Sequence, residues 1–214
     1  MHIAVKADEE QKKELMLKGW PQTVTLQWLA PEDELAAVEA DAYFDLLFSN
    51  EFIANSGFIK QKTVFVNAVS CTAQEIGMAN YIRINAWPGF LQRDIVEIAG
   101  GDNESHEEAE AVLNTLGWKY VWAPDEPGMV SARIISMVIN EAYFALGDGI
   151  STRGEIDTAM KLGTNYPYGP FEWGQQIGIE KIYHLLKKLQ GQNAKRYEIA
   201  PLLVQEVVNN GFIA

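Results

Sequence analysis

The segment Asn165-Tyr-Pro-Tyr-Gly-Pro-Phe-Glu-Trp173 decides the fold of this chain. Its two prolines stiffen the backbone, and Gly169 is expected to take a backbone conformation that other residues resist. Its four aromatic side chains supply apolar area and are expected in the core or in an interface. The segment therefore predicts a rigid loop between two helices.

Helical periodicity surrounds this loop from Pro127 onward. We predict four helices, over Met129 to Leu146, from a cap at Thr152 to Leu162 with a stop at Gly163, over Glu172 to Leu189 with a break at Gly178, and over Ala200 to Asn209. The first helix is apolar on nearly every side, which predicts that other helices cover it.

Strands and helices alternate before Asp125, which predicts an α/β domain with a mostly parallel sheet. The predicted strands are 2–6, 23–29, 43–48, 63–69, 81–87, 94–98 and 119–122, with helices over 8–18 and 105–116 and a short helix opening at Pro31. The sequence thus predicts two domains, 1–124 and 125–214.

Composition excludes several classes of function. The 214 residues carry a net charge of -12, which argues against binding to nucleic acid or to an anionic membrane surface. A single cysteine, Cys71, permits neither an internal disulfide nor a cysteine-based zinc site, and we predict no metal site. The start of the chain has no signal-peptide pattern, so we expect a cytoplasmic protein.

Four motifs in the helical half occur together, in order and at regular spacing. They are Pro127-Gly-Met-Val130, Glu155-Ile-Asp-Thr-Ala-Met-Lys-Leu-Gly163, Tyr166-Pro-Tyr-Gly-Pro-Phe-Glu172 and Arg196-Tyr-Glu-Ile-Ala-Pro-Leu-Leu203. This set closely resembles the C-terminal domain of the 3-hydroxyacyl-CoA dehydrogenases.

The resemblance implies a helical domain of the 6-phosphogluconate dehydrogenase C-terminal type, which forms the dimer interface in the family. It also implies an NAD-binding Rossmann domain and NAD-dependent oxidation of 3-hydroxyacyl-CoA to 3-ketoacyl-CoA in fatty-acid metabolism.

The N-terminal half resembles the family more weakly. Ser70 matches a serine that follows an apolar strand in the family, and Glu97 matches the glutamate that orients the catalytic histidine. The histidine itself is replaced by Asn85 or by Ile84, depending on a one-residue gap. Ser70, Asn85 and Glu97 are therefore the candidate site residues.

The replacement removes the expected base. Hydride transfer from an alcohol needs a group near neutral pH that accepts the hydroxyl proton, and asparagine cannot do this. The three histidines, His2, His106 and His184, lie outside the motif, and we predict that His106 and His184 are surface residues. Ala132 stands where the family has an asparagine at the substrate site.

The loop that should hold the cofactor also departs from the family. A dinucleotide site needs a glycine-rich turn after the first strand, whereas this chain has Ala7-Asp-Glu-Glu10. The connection after the second strand is too short for a helix and strand pair. The Rossmann domain is therefore expected to be abridged, and no cofactor-binding residues are predicted, although the resemblance by itself implies NAD.

We interpret the chain as a degenerate family member with weak or no dehydrogenase activity. It is expected to form a homodimer and to bind an acyl-CoA-like small molecule or another protein chain. The alternative is an active dehydrogenase that uses non-standard residues or is completed by a partner chain.

Overall fold

The computed structural model describes residues 1–48, 59 and 61–213. The chain divides into two compact units, Met1–Met129 and Val130–Ala214. The first contains a sheet with helices and the second contains helices, which confirms the predicted α/β domain followed by a helical domain.

The first unit is built on a seven-stranded sheet of order β2-β1-β3-β4-β5-β6-β7. Its strands are β1 His2–Lys6, β2 Thr25–Leu29, β3 Ala42–Asp45, β4 Val64–Val66, β5 Tyr81–Ile84, β6 Ile95–Ala99 and β7 Lys119–Trp122. Neighbouring strands are parallel except β5 and β6, which pair antiparallel. The predicted strands and their mostly parallel arrangement are confirmed, although several strands end earlier than predicted.

The described residues of this unit form three α-helices, α1 Glu9–Lys18, α2 Ala73–Ile76 and α3 Asn103–Leu116. Each begins after a residue whose side chain accepts a hydrogen bond from the first turn, namely Asp8, Thr72 and Asp102. Such caps satisfy backbone N–H groups that a helix leaves without internal partners.

The sheet is apolar on both faces, and a cluster of buried side chains lies against each. One cluster centres on Phe44 and Phe65, whose rings stack with centroids 4.7 Å apart. The continuous apolar strands of the sequence are typical of a sheet covered on both sides.

The predicted helix at Pro31 is wrong. Residues 31–33 form a turn, and a short 3-10 helix follows at Leu35–Ala37. The Asp33 carboxylate accepts a hydrogen bond from the Ala30 N–H at 2.8 Å, and a carboxylate bound to nearby backbone in this way favours a turn over a helix.

The connection between β2 and β3 confirms that the Rossmann fold is abridged. Residues 30–41 contain only the short 3-10 helix, and β2 is the outermost strand on that side of the sheet. A dinucleotide-binding sheet of the order 3-2-1-4-5-6 has one further strand at this edge.

The second unit consists of five helices within its described residues. They are α4 Ser131–Gly147, α5 Arg153–Thr164, α6 Pro170–Ile177, α7 Ile179–Gln192 and α8 Pro201–Asn209. Helix α4 packs against α6, α7 and α8, whereas α5 packs mainly on α6. The predicted break at Gly178 is confirmed, because this residue separates α6 from α7 with φ at 97°.

Two glycines in this unit act differently from the prediction. Helix α5 continues through Gly163 and ends at Asn165, which takes the left-handed conformation with φ at 56°. Gly169 has an ordinary φ of -74°, so conformational freedom does not explain it. A Cβ atom there would lie 2.3 Å from the Asp157 side chain, and a glycine is needed because space is lacking.

The Asp157 side chain fills the space next to Gly169. It is buried, and its Oδ1 accepts a hydrogen bond from the Phe171 N–H at 2.8 Å, in the first turn of α6. Phe171 and Trp173 are also buried, and the rings of Tyr166 and Tyr168 contact Trp173 edge-on. Phe171 and Trp173 thus pack in the core of the unit, as predicted, and Tyr166 and Tyr168 are half-buried beside Trp173.

Two negative findings apply to the described part of the chain. None of its helices is both long and apolar enough to cross a membrane. It also contains no cluster of three or more histidine, cysteine or carboxylate side chains that could hold a metal ion.

Candidate functional site

The carboxyl ends of the parallel strands meet at one edge of the sheet. The chain leaves β1 toward β2 on one side and reaches β3 on the other, so β1 and β3 form the topological switch point where α/β proteins bind ligands. The last residues of these two strands, Lys6 and Asp45, are aligned across the pair.

The turn after β1 does not fit a dinucleotide. The Asp8 carboxylate accepts a hydrogen bond from the Gln11 N–H at 2.8 Å, and the Gln11 side chain accepts one from the Asp8 N–H at 3.1 Å. The start of α1, where a pyrophosphate would bind, is therefore capped by a carboxylate of the chain itself. Glu9 and Glu10 add further negative charge in the first turn.

Asp45 is a group at this edge that the sequence did not single out. Burial raises its pKa to about 6, although Lys6 and a backbone hydrogen bond at Leu47 act in the opposite direction. Its Oδ1 is buried and has no hydrogen-bond partner among the described residues. A carboxyl group in this state can exchange a proton near neutral pH.

Asn85 directly follows β5 and lies beside Glu97 of β6. The Asn85 Nδ2 donates a hydrogen bond to Glu97 Oε2 at 3.3 Å, and the Asn85 N–H donates one to the Glu97 carbonyl at 3.1 Å. Ile84 is fully buried in the apolar core. Of the two alternatives left open by the sequence, Asn85 is therefore the residue that contacts Glu97.

Glu97 is half-buried on an interior strand, so it does not lie on the exposed edge of the sheet. The Asn85 amide oxygen accepts a hydrogen bond from the Trp87 N–H at 3.4 Å. An amide that donates to a carboxylate and accepts from the backbone holds its neighbours in place, but it offers no base for catalysis.

Ser70 is held by a different network. It lies half-buried in the turn after β4. The fully buried Arg83 donates hydrogen bonds to the carbonyls of Ala68 and Val69, both at 3.0 Å. The structure thus joins Asn85 to Glu97 directly, and Arg83 fixes the backbone just before Ser70.

Arg83 also binds two residues near the C-terminal end of the first unit. It forms a 2.7 Å ion pair with Asp125 and donates to the Glu126 carbonyl at 3.1 Å. Asp125 in turn accepts hydrogen bonds from the Ala73 N–H at 2.8 and 3.0 Å. Removal of Asp125 would be costly, because the buried charge of Arg83 would stay without compensation.

Two side chains on one face of α1 form hydrogen bonds with the backbone of residues 86–91, the segment that follows Asn85. Gln11 Nε2 donates to the Ala86 carbonyl at 3.4 Å, and Glu14 accepts from the N–H groups of Gly89 and Leu91 at 2.6 and 3.1 Å. Burial raises the pKa of Glu14, and these backbone hydrogen bonds oppose the shift. The segment is therefore fixed by these polar contacts as well as by the burial of Ala86 and Leu91 in the apolar core.

The histidines lie outside this arrangement. His184 is exposed, as predicted. The prediction of a surface position is wrong for His106, which is half-buried because its ring stacks on Trp122 with centroids 3.8 Å apart and its Nε2 lies 2.8 Å from the Gly100 carbonyl oxygen. Ala132 is fully buried in α4.

The sequence missed Arg83, Glu14 and Asp45. Arg83 and Asp45 each interrupt or end an apolar strand, and a charged residue in that position is a signal of a buried polar role. Glu14 lies three residues after Gln11 on α1, so that the two side chains share a helix face, but no local pattern indicates what that face contacts.

Comparison with known proteins indicates the same family as the four motifs of the helical half. Residues 128–213 match the model of the 3-hydroxyacyl-CoA dehydrogenase C-terminal domain family. The chain is 47% identical over 115 residues to 3-hydroxyadipyl-CoA dehydrogenase of Escherichia coli, which covers 53% of this chain and 24% of that protein. It is 32% identical over 118 residues to 3-hydroxybutyryl-CoA dehydrogenase of Bradyrhizobium diazoefficiens, covering 53% and 40%.

Solved structures show the same fold. The (S)-3-hydroxybutyryl-CoA dehydrogenase of Ralstonia eutropha has a TM-score of 0.71 at 19% identity, covering 98% of this chain and 94% of that one. The 3-hydroxybutyryl-CoA dehydrogenase of Escherichia coli has a TM-score of 0.59 at 33% identity, covering 70% and 32%.

The match spans less than half the length of each of these two curated relatives. The family model covers residues 128–213, which contain the helices of the second unit and most of its motifs. From the motifs and the family match, we conclude that residues 128–213 belong to the 3-hydroxyacyl-CoA dehydrogenase C-terminal domain family, and the chain as a whole shares the fold of those enzymes.

Proposed function

We propose that this chain is a degenerate 3-hydroxyacyl-CoA dehydrogenase, which keeps the family fold but lacks the family's NAD-dependent reaction. In this proposal it acts as a homodimer that binds an acyl-CoA-like molecule. The family's activity is NAD-dependent oxidation of a 3-hydroxyacyl-CoA, and the proposal concerns what remains of it in this member.

The contact between Asn85 and Glu97 carries the proposal. Oxidation of the substrate hydroxyl requires a group that accepts its proton, and a histidine next to a carboxylate suits this at neutral pH. Here the neighbour of Glu97 is an amide, at 3.3 Å. The carboxylate is retained, but the group that it would orient cannot act as a base.

The turn after β1 supports the same proposal. Asp8 caps α1 with its own carboxylate, and a pyrophosphate approaching this turn would meet the negative charges of Asp8, Glu9 and Glu10. The turn therefore disfavours the binding of NAD in the manner of the family.

Uncovered apolar side chains on the helical unit support the proposed homodimer. Only Asp157 is buried among the residues of α5, while Leu162 of this helix is 83% exposed and Ile150 just before it is 73% exposed. Apolar residues in such positions are commonly covered by another chain, and a second copy is the partner that the family implies.

A thermal-shift panel with NADH, NADPH, CoA and acetoacetyl-CoA tests the proposal. We expect no stabilisation by either nicotinamide cofactor below about millimolar concentration. We expect stabilisation by acetoacetyl-CoA, and no oxidation of NADH when acetoacetyl-CoA is added. A micromolar dissociation constant for NADH in calorimetry, together with turnover, would show that the chain is a working dehydrogenase.

Asp45 favours one alternative, an active enzyme that uses a non-standard base. It lies at the switch point of the sheet with a pKa of about 6, so it could accept a proton at neutral pH. If wild-type protein oxidises NADH with acetoacetyl-CoA, the variant Asp45→Asn distinguishes the cases. Loss of turnover with retained folding would assign the base to Asp45.

A further inference from the structure

A cavity of about 330 Å³ in the first unit is lined by residues other than Ser70, Asn85 and Glu97. It is bounded by the end of α1, the segment before β6 and the start of β7. The side chains that matter for its chemistry are Lys18, Gln92, Arg93, Asp94, Trp118 and Lys119. Its size suits a small polar group.

The charge of this cavity contrasts with the charge of the chain. The whole chain has 17 cationic against 29 acidic residues. Three cations, Lys18, Arg93 and Lys119, line this one cavity, and Asp94 is the carboxylate among its lining residues. Concentration of positive charge in a strongly acidic protein marks a local preference for an anion.

Two of the cations are held in place by fixed contacts. Lys18 Nζ donates to the Arg93 carbonyl at 2.6 Å and lies 5.2 Å from the centre of the Trp118 ring. The Arg93 guanidinium lies 4.0 Å from the centre of the Phe90 ring. Positioned cations bind an anion more tightly than mobile ones, because less side-chain freedom is lost on binding.

Both cations are also partly withdrawn from water. Burial lowers the pKa of Lys18, which Asp94 opposes, and burial lowers the pKa of Arg93, which Glu97 and Glu14 oppose. Glu14 and Glu97 already accept hydrogen bonds from Gly89, Leu91 and Asn85. An anion in the cavity would compensate the charges of Lys18 and Arg93 further.

We propose that this cavity is a binding site for a phosphate group, held by Lys18, Arg93 and Lys119. Lysine provides a compact charge and arginine a planar set of donors, and both are suited to phosphate oxygens. The phosphate belongs either to inorganic phosphate or to a phosphate monoester such as the 3′-phosphate of CoA. The CoA assignment rests on the proposed function, whereas the phosphate site does not.

The test uses the full chain and follows its backbone and indole N–H signals by NMR at low ionic strength. Inorganic phosphate, CoA and dephospho-CoA, which lacks the 3′-phosphate, are titrated separately. The Trp118 indole N–H, which donates to the Gly19 carbonyl at 3.4 Å, reports on the cavity. Lys18→Met and Arg93→Met remove cations from the cavity, and Lys119→Met removes one from an exposed position that should tolerate it.

Lys13→Met is the matched control, because Lys13 is exposed on the same helix and does not line the cavity. We expect saturable binding of inorganic phosphate at about millimolar concentration. Each cavity variant that folds should weaken this binding at least about tenfold. Lys13→Met should leave it unchanged. CoA binding more tightly than dephospho-CoA would assign the phosphate to CoA, and equal binding would assign the site to free phosphate. Absence of saturable phosphate binding, or equal weakening by Lys13→Met, would overturn the proposal.

The result is separable from the proposed function. Failure of phosphate binding leaves the turnover and NADH measurements unaffected, since neither depends on this cavity. Turnover with NADH would contradict the proposed function and would leave the phosphate site standing.

Discussion

Asn85 donates a side-chain hydrogen bond to Glu97 over 3.3 Å, across the antiparallel pair of β5 and β6. The Asn85 N–H also donates to the Glu97 carbonyl, so backbone pairing fixes the distance between the two side chains. A carboxylate is therefore held beside an amide at the two positions that the resemblance predicts for the family's catalytic pair.

Restoration of the base alone should not restore the reaction. We expect Asn85→His to give less than a tenfold gain in NADH oxidation with saturating acetoacetyl-CoA, because the turn after β1 remains capped by Asp8. A positioned general base typically contributes about 10²–10⁴ in rate, so a gain in that range would show that the rest of the site is intact. Asn85→Gln serves as the control for altered packing.

The helical unit should hold a dimer together. We expect light scattering to give a homodimer at micromolar concentration, and Leu162→Asp to shift it toward monomer, because Leu162 is 83% exposed in the single chain. His184→Asp, at an exposed position of α7, is the control and should leave the dimer intact. A monomeric wild type, or equal effects of both variants, would contradict this prediction.

Asp45 should make the stability of the protein depend on pH. Its folded pKa of about 6 lies above its ordinary value of 3.8, so the folded state binds the proton more tightly. The associated stability is present below about pH 4 and is lost as pH rises through about 6, which amounts to about 3 kcal/mol at most.

Asp45→Asn should therefore raise the melting temperature at pH 7.5 and change it little at pH 4. Asp41→Asn is a control of opposite sign, because a hydrogen bond from the His2 N–H lowers the pKa of Asp41. An equal effect of Asp45→Asn at both pH values would mean that the carboxyl group is not the source.

Two glycines in the helical unit should respond oppositely to alanine. Gly169→Ala would place a Cβ atom 2.3 Å from Asp157 and should destabilise by about 1–3 kcal/mol or more. Gly163→Ala meets no atom within 4 Å and lies inside α5, so it should stabilise by about 0.5–1 kcal/mol. Chemical denaturation measures both, and equal effects would contradict the packing argument.

Local patterns predicted much of the fold. Apolar runs predicted the strands, and Thr152 caps α5 as predicted, whereas the short helix α2 that Thr72 caps was not predicted. The short helix at Pro31 was predicted wrongly. The Asp33 carboxylate accepts a hydrogen bond from the Ala30 N–H, and this local bond favours a turn over a helix.

The sequence by itself determined the family, the two kinds of domain and the absence of a glycine-rich turn, because each depends on residues that are near one another in the chain. Tertiary structure alone decided that Asn85 rather than Ile84 meets Glu97, and that Arg83 and Glu14 are buried in polar networks. Glu14 and Gly89 are 75 residues apart, and such pairings depend on how the sheet aligns its strands and helices. Strand order and register, which no local pattern encodes, set these distances.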